Sequence, residues 1–334
     1  MDKIDFVILW VDGSDEKWLK EKNKYKKQIT GENISNNANR FRDWDILKYW
    51  FRGVEKYASW VNKIHFVTWG HLPSWLDTTN PKLNIVKHED FIPKEYLPTF
   101  NSNVIQYFLN RIEGLADKFV MFDDDQFILK SVKPTDFFKG DKICDVYGET
   151  VNYTSILGDV YSHCILNNMQ CINKHYNKRS IYKKHPFKYF NLKYGISNNL
   201  KTIALLPWSY FAGIYSPHIC QAYTKKHYEL FWKYCEAQLK ENCYNRFRDR
   251  SDLSTFLIRY IELLEGDFVP RKHNFGIRRG LGKNNSDIYI IIEKQKYNVL
   301  CINDDDINLE FEKIQKELKN SFEKILPDKC SFEK

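Results

Sequence analysis

Residues 119–129 read FVMFDDDQFIL: four apolar side chains, three carboxylates in a row, then a second apolar run. An unbroken apolar run of strand length suits a parallel sheet covered on both faces. A strand of this kind ends by delivering Asp123, Asp124 and Asp125 to the rim of the sheet. In open α/β sheets the ligand crevice lies outside the carboxyl ends of the strands. Three adjacent carboxylates repel one another unless a cation holds them. Hard divalent ions such as Mg²⁺ take oxygen ligands, often one or two carboxylates plus substrate phosphates. The competing reading is a solvated acidic turn; the apolar runs on both sides weigh against it, because they tie the acids down at each end.

The remaining pattern surrounds that strand with others. Residues 4–11, IDFVILWV, read as a first buried strand that runs into the turn Asp12-Gly13-Ser14-Asp15. Residues 20–40 are polar and lysine-rich and read as an exposed insertion. Apolar positions at Ile46, Leu47, Trp50, Phe51 and Val54 have helical spacing, and residues 64–68 and 84–86 are strand-like. Asn101 or Ser102 is placed to cap a helix that continues to Ile112. Strand and helix alternate through residues 1–140, which predicts an α/β fold with a doubly wound, mostly parallel sheet. Residues 141–217 read as an irregular insertion with possible strands at 146–156 and 202–206. Residues 218–334 read as a helical half that completes the site, so the chain is expected to form one domain over 1–334. In that half, helices are expected at 225–239 and 252–264, the second capped by Ser251 and stopped by Gly266. Strands are expected at 288–292 and 299–302, and a C-terminal amphipathic helix at 307–325.

Three expected strand ends carry carboxylates: Asp12, Asp123 to Asp125, and Asn303 to Asp306. If the strands share one sheet and one direction, these groups converge into an oxygen-rich site of the type a metal and a diphosphate require. Each taken alone is an ordinary turn. His218, in Ser-Pro-His, is a candidate general base, because an unperturbed imidazole titrates near neutrality; a packing or surface histidine is the alternative. Arg246 and Arg248 precede an expected helix, and Arg40 and Arg42 lie in Arg-Phe-Arg-Asp. Planar guanidinium groups suit phosphate oxygens, although exposed basic turns would look the same. Residues 271–279, RKHNFGIRRG in context, read as a basic mobile lid.

The formal net charge is +8. A basic excess fits nucleic acid, an anionic membrane or phosphate-bearing substrates. The chain has no RNP-like run, zinc-finger spacing or long basic helix, which argues against nucleic acid. Eight cysteines are scattered without a CxxC pair, which predicts reduced thiols in a cytoplasmic protein. The N-terminal apolar run is too short and too acidic at its flanks for a signal peptide. No stretch approaches the ~20 apolar residues of a membrane span. A cytoplasmic chain is expected, with peripheral contact at the inner face of the plasma membrane left open through its C-terminal helix.

Four blocks in order carry a resemblance: IDFVILWVDGSDEKW; RFRDWDILKYWFRGVEKYASWVNKIHFVTWG followed by LPTFNSNVIQYFLNRIEGLADKFVMFDDDQFI; SPHICQAYTKKHYELFW followed by RFRDRSDLSTFLIRYIELLEG; and LCINDDD with the tail ILPDKCSFE. Together they resemble the Stealth family of sugar-phosphate transferases. The resemblance implies a nucleotide-sugar-transferase-like fold and transfer of a hexose-1-phosphate, such as an N-acetylhexosamine-1-phosphate, from a UDP-sugar donor. The acceptor would be a hydroxyl of a growing polysaccharide, the products a phosphodiester and UMP, and the cofactor Mg²⁺ or Mn²⁺. By motif, it implies His218, Arg248 and Asp124 as catalytic residues. Asp12, Gly13, Arg40, Arg42, Asn101, Ser102, Asp123, Arg246 and Asp252 would bind substrate, and Asp125, Asn303 and Asp304 the metal. Two positions depart from the family pattern: Asp123 replaces the common Asn, and Gln221 a frequent Pro. The main rival is a metal-dependent glycosyltransferase that moves the sugar itself and releases UDP. A catalytically silent saccharide- or nucleotide-binding protein is a second.

Overall fold

The computed structural model describes residues 2–26, 43–154, 160–304 and 309–334. At its centre is a five-stranded sheet, in the order Leu83–Lys87, Ile64–Thr68, Ile4–Leu9, Lys118–Phe122 and Gln221–Thr224. Its strands are β1 (Ile4–Leu9), β2 (Ile64–Thr68), β3 (Leu83–Lys87), β4 (Lys118–Phe122) and β8 (Gln221–Thr224). The first four run parallel, and β8 closes one edge antiparallel to β4. All residues of β2 and β4 are buried, as the unbroken apolar runs require. The chain leaves β1 toward β2 and β3 on one side, then returns to lay β4 on the other. That reversal places a topological switch point between the carboxyl ends of β1 and β4, where open α/β sheets bind ligands.

Two small sheets flank it. Strands β5 (Gln126–Ile128), β10 (Gly276–Gly280) and β11 (Val299–Asn303) form one, in order β10-β11-β5. Strands β6 (Phe138–Lys139), β7 (Lys142–Asp145) and β9 (Phe268–Pro270) form the other. The acids at β1 and β4 therefore share a sheet and direction, whereas those after β11 reach the same place from a second sheet.

The helix Leu47–Tyr57 packs its buried face, including Trp50 and Phe51, against the sheets. Its Arg52 clasps the C-terminal tail, donating from Nε and Nη2 to Glu333 at 2.7 and 2.9 Å. The C-terminal helix Phe311–Glu323 spends its apolar face on this core: Leu318 and Phe322 are fully buried, and Phe322 stacks on Tyr49 at 5.1 Å. That face is thereby withdrawn from any membrane.

Several expectations change. Residues 288–292 lie in a helix, Ser286–Glu293, not a strand. Ile288, Ile291 and Ile292 are buried while Ile290 is exposed. This helical spacing packs against the C-terminal helix, so tertiary contact overrides the β preference of isoleucine. Residues 202–206 finish the helix Gly195–Ala204 and the turn after it. The described part of 146–156 makes only an isolated bridge, Glu149 to Ile214; its last two residues lie outside the described chain. Ser251 does not cap the second C-terminal helix, which begins later, at Phe256; instead Ser251 closes a turn on Asp249. Gly266 does end that helix in the left-handed region, φ 75°. Residues 276–280 of the expected lid are strand β10, paired along β11. The cysteines are not all thiols: Cys171 and Cys235 form a disulfide between the helices Val160–His175 and Lys225–Asn242. Their separation of 64 residues hides the pair from spacing rules, whereas the packing of the two helices brings it together.

Candidate active site

At the switch point lies a cleft of about 710 Å³, walled by the ends of β1, β4 and β11 and by His218 and Arg248. The acids reach it through the tight connection from β4 to β5. Gln126 N–H donates back to Asp123 O at 3.2 Å, and Ile302 N–H donates to Asp125 O at 2.8 Å. Because β5 pairs antiparallel with β11, with Gln126 opposite Cys301, the end of β11 comes alongside the three aspartates. Asn303 and Asp304 thus join Asp123, Asp124 and Asp125 in one cleft wall.

The three aspartates differ in their partners. Asp123 accepts from Gln106 Nε2 at 3.2 Å and Gln126 Nε2 at 3.3 Å. Burial raises its pKa, while the charges of His218 and Arg248 pull it back. Asp124 is pushed well up by burial and then by Asp125, Asp123 and Asp43. Asp125 is raised to about 7 by burial and by Asp123. Its Oδ2 accepts from Cys301 Sγ at 3.3 Å, whereas its buried Oδ1 has no hydrogen-bond partner among the described residues. Donor atoms of Asp125, His218 and Cys301 lie within 4.8 Å of one another. That cluster offers a carboxylate, an imidazole and a thiol, and with the unsatisfied Asp125 oxygen it fits a divalent cation.

His218 is held in the left-handed region, φ 50°, directly after Pro217. Such a conformation in a non-glycine residue persists only where its surroundings fix it, often at functional sites. Phe256 flanks its ring, centroids 5.9 Å apart. Arg248 donates from both Nε, at 2.7 Å, and Nη2 to Ser102 Oγ. The loop bearing Arg248 is latched from below. Asn101, the cap of helix Ser102–Tyr107, donates Nδ2 to Asn245 O, Phe247 O and Asp252 Oδ2 at 2.8–3.1 Å. Asp252 also accepts from Asn245 Nδ2 and Asp249 N–H. Burial raises its pKa to about 6.

The structure therefore gathers His218, Arg248, Ser102, Asp123, Asp124, Asp125, Asn303 and Asp304 around one cleft. Asn101 and Asp252 support it from within the protein. Asp12 stands one residue beyond the wall that Leu9, Trp10 and Val11 supply; its carboxylate accepts from Ser14 N–H and Oγ, and Gly13 lies in the same turn. Arg246 turns elsewhere, donating to Pro98 O and covering Tyr25 at 4.7 Å. Arg40 and Arg42 lie outside the described residues. Sequence reasoning missed Asp43 and Arg278, both in the cleft wall. Asp43 adjoins the Arg-Phe-Arg run, whose cations mask its role, and Arg278 sits in the basic run 271–279, which reads as a lid.

Stealth protein conserved region 1 matches residues 2–30, and Stealth protein conserved region 2 matches residues 40–146. The capsular polysaccharide phosphotransferase WcwK of Streptococcus pneumoniae is 41% identical, over 100% of this chain and 99% of its own. The exopolysaccharide phosphotransferase cps2G of Lactiplantibacillus plantarum is 39% identical, over 99% and 96%. The receptor polysaccharide phosphotransferase WefC of Streptococcus gordonii is 34% identical, over 100% and 99%. Among solved structures, the galactosyltransferase LgtC with donor and acceptor sugar analogs aligns over 95% of both chains at 10% identity and a TM-score of 0.36. On full-length similarity to these phosphotransferases, and on its two matched conserved regions, the chain belongs to the Stealth family.

Proposed function

We propose that this chain transfers a hexose-1-phosphate from a UDP-sugar to a hydroxyl of a growing polysaccharide, making a phosphodiester and releasing UMP. One observation carries the reading: a histidine, an arginine and a row of carboxylates meet in one cleft at the switch point. Phosphoryl transfer asks a protein mainly for positioning and charge stabilisation, and these groups supply both. The acceptor oxygen forms a bond to the β-phosphorus as the bond from that phosphorus to the bridging oxygen breaks; UMP leaves with the electron pair. A ring nitrogen of His218 takes the acceptor proton. Arg248, oriented by Ser102, faces the charge on the transferring phosphoryl oxygens. Asp12 and Gly13, with Arg40 and Arg42, are assigned to the donor side of the site. Asp124, Asp125, Asn303 and Asp304 would hold Mg²⁺ or Mn²⁺, which when bound neutralises diphosphate charge. We place this reaction at the inner face of the plasma membrane.

The test is a set of UDP-sugars offered with acceptor glycan and Mg²⁺ or Mn²⁺, with the released nucleotide separated and the product read by ³¹P NMR. UMP with a phosphodiester signal is expected. UDP without that signal would instead assign sugar transfer. His218→Ala should lower turnover by ~10²–10⁴-fold while leaving donor binding intact; near-normal turnover removes His218 as the base.

A further inference from the structure

No helix among the described residues is long and apolar enough to cross a membrane, and the C-terminal helix is packed into the core. Another face carries unpartnered apolar side chains. Fourteen large hydrophobic residues are exposed among the described residues, and eight of them fall within residues 187–210. Leu192 is 97% exposed, and Ile196, Leu200 and Ile203 follow at helical spacing along Gly195–Ala204. Phe187 precedes them and Trp208 follows, both exposed. A run of this size on a soluble surface marks an interaction site.

The charge around it is one-sided. Residues 160–210 contain eight Lys and Arg side chains and no Asp or Glu, so the chain's entire formal excess of +8 resides in this segment. Lys178 is buried against Glu149 at 2.8 Å, but Lys183, Lys184, Lys193 and Lys201 are exposed. Exposed Leu, Ile, Phe and Trp bordered by lysines are what an interfacial helix presents to lipid: apolar side chains enter the acyl boundary and cations meet anionic headgroups. A second copy fits poorly, because a twofold interface would set this acid-free surface against itself. The chain also runs from this strip through Tyr210 to Ser216 and His218 in the cleft wall.

We propose that the face formed by residues 187–210 docks the protein on an anionic lipid bilayer, with the Leu192–Ile203 stripe inserted and its lysines on the headgroups. It depends on the proposed function only for its purpose, not for the contact itself. The test is flotation of the full chain with phosphatidylcholine vesicles, with and without phosphatidylglycerol. Binding is expected with phosphatidylglycerol and should weaken as salt rises. The triple variant Leu192→Ser, Ile196→Ser, Leu200→Ser should weaken binding by roughly 10²-fold. The triple variant Lys183→Glu, Lys193→Glu, Lys201→Glu should lose more than roughly 10²-fold, since each surface cation contributes about fivefold. Both should keep wild-type turnover on a soluble acceptor, and His218→Ala should bind vesicles normally. Equal binding to neutral and anionic vesicles, or wild-type binding by both triple variants, overturns the proposal. So does a wild-type dimer that the triple variants dissolve, which would assign the face to a second copy. Vesicle binding without UMP release would leave the docking face standing and remove only the reaction.

Discussion

Two strand ends carry aspartates and treat them in opposite ways: Asp145 is buried in the core, whereas Asp123, Asp124 and Asp125 stand on the cleft wall, Asp124 exposed. Asp145, at the end of β7, is saturated: Arg259 Nε and Nη2 donate to it at 2.6 and 3.3 Å, Gln221 Nε2 at 3.2 Å and Val146 N–H at 2.7 Å. Burial works against its charge, yet Arg259 and Arg271 hold its pKa below the usual carboxylate range. Asp124 and Asp125, at the end of β4, face other carboxylates, and their pKa values are raised. The first arrangement holds the fold together. The second is a cost to the fold that a bound cation and a phosphorylated substrate would relieve, since carboxylates crowded together repel one another.

The comparison breaks most sharply at Arg259. Arg259→Met strands Asp145 in the core and should cost about 3–5 kcal/mol in urea denaturation. Asp125→Asn should instead leave stability unchanged or raised, while turnover falls by roughly 10²-fold in the nucleotide-release assay. Saturating Mg²⁺ should stabilise the wild type by about 1–3 kcal/mol in thermal unfolding, and should do much less for Asp125→Asn. Arg248→Lys keeps the charge but loses the fork on Ser102, and should lower turnover by roughly tenfold with little change in melting temperature. The smallest effect is in pH. Folding raises the Asp125 pKa from 3.8 to about 7. Its stabilising protonated form is therefore lost as pH rises through that window, so metal-free protein should melt lower at neutral than at mildly acidic pH. Asp145 has the opposite sign: its contribution is present above the unfolded value and is lost as pH falls through its lowered folded value. Mg²⁺ should flatten the first trend and leave the second untouched.

The sheet and the acidic rim could be read from the sequence because long apolar runs have few alternatives. FVMFDDDQFIL contains both the strand and its cargo, whereas His218 and Arg248 stand out only through the four blocks taken together, since the local pattern around each equally suits a surface or packing residue. Three things were hidden for physical reasons. The isoleucines at 288–292 look like a strand until the C-terminal helix they pack against is in place. Cys171 and Cys235 meet only through helix packing. Asn303 and Asp304 converge with the other acids as expected, but from a second sheet, because β5 reverses against β11, a pairing between distant segments that local pattern does not encode. Arg246 shows the converse: the residue type suits phosphate, but its guanidinium is spent on Pro98 and Tyr25.

The measurement closest to the central claim is Mn²⁺ titration followed by electron paramagnetic resonance, on the wild type, Asp125→Asn and Gln221→Ala. Gln221 donates to Asp145 and to Ala222 O but to none of the three cleft aspartates, so its loss tests the saturated acid. The account predicts one Mn²⁺ site in the wild type and in Gln221→Ala, and its loss or at least roughly tenfold weakening in Asp125→Asn. Mn²⁺ binding that survives unchanged in Asp125→Asn would contradict it, because the unpartnered Asp125 oxygen would then not be waiting for a cation.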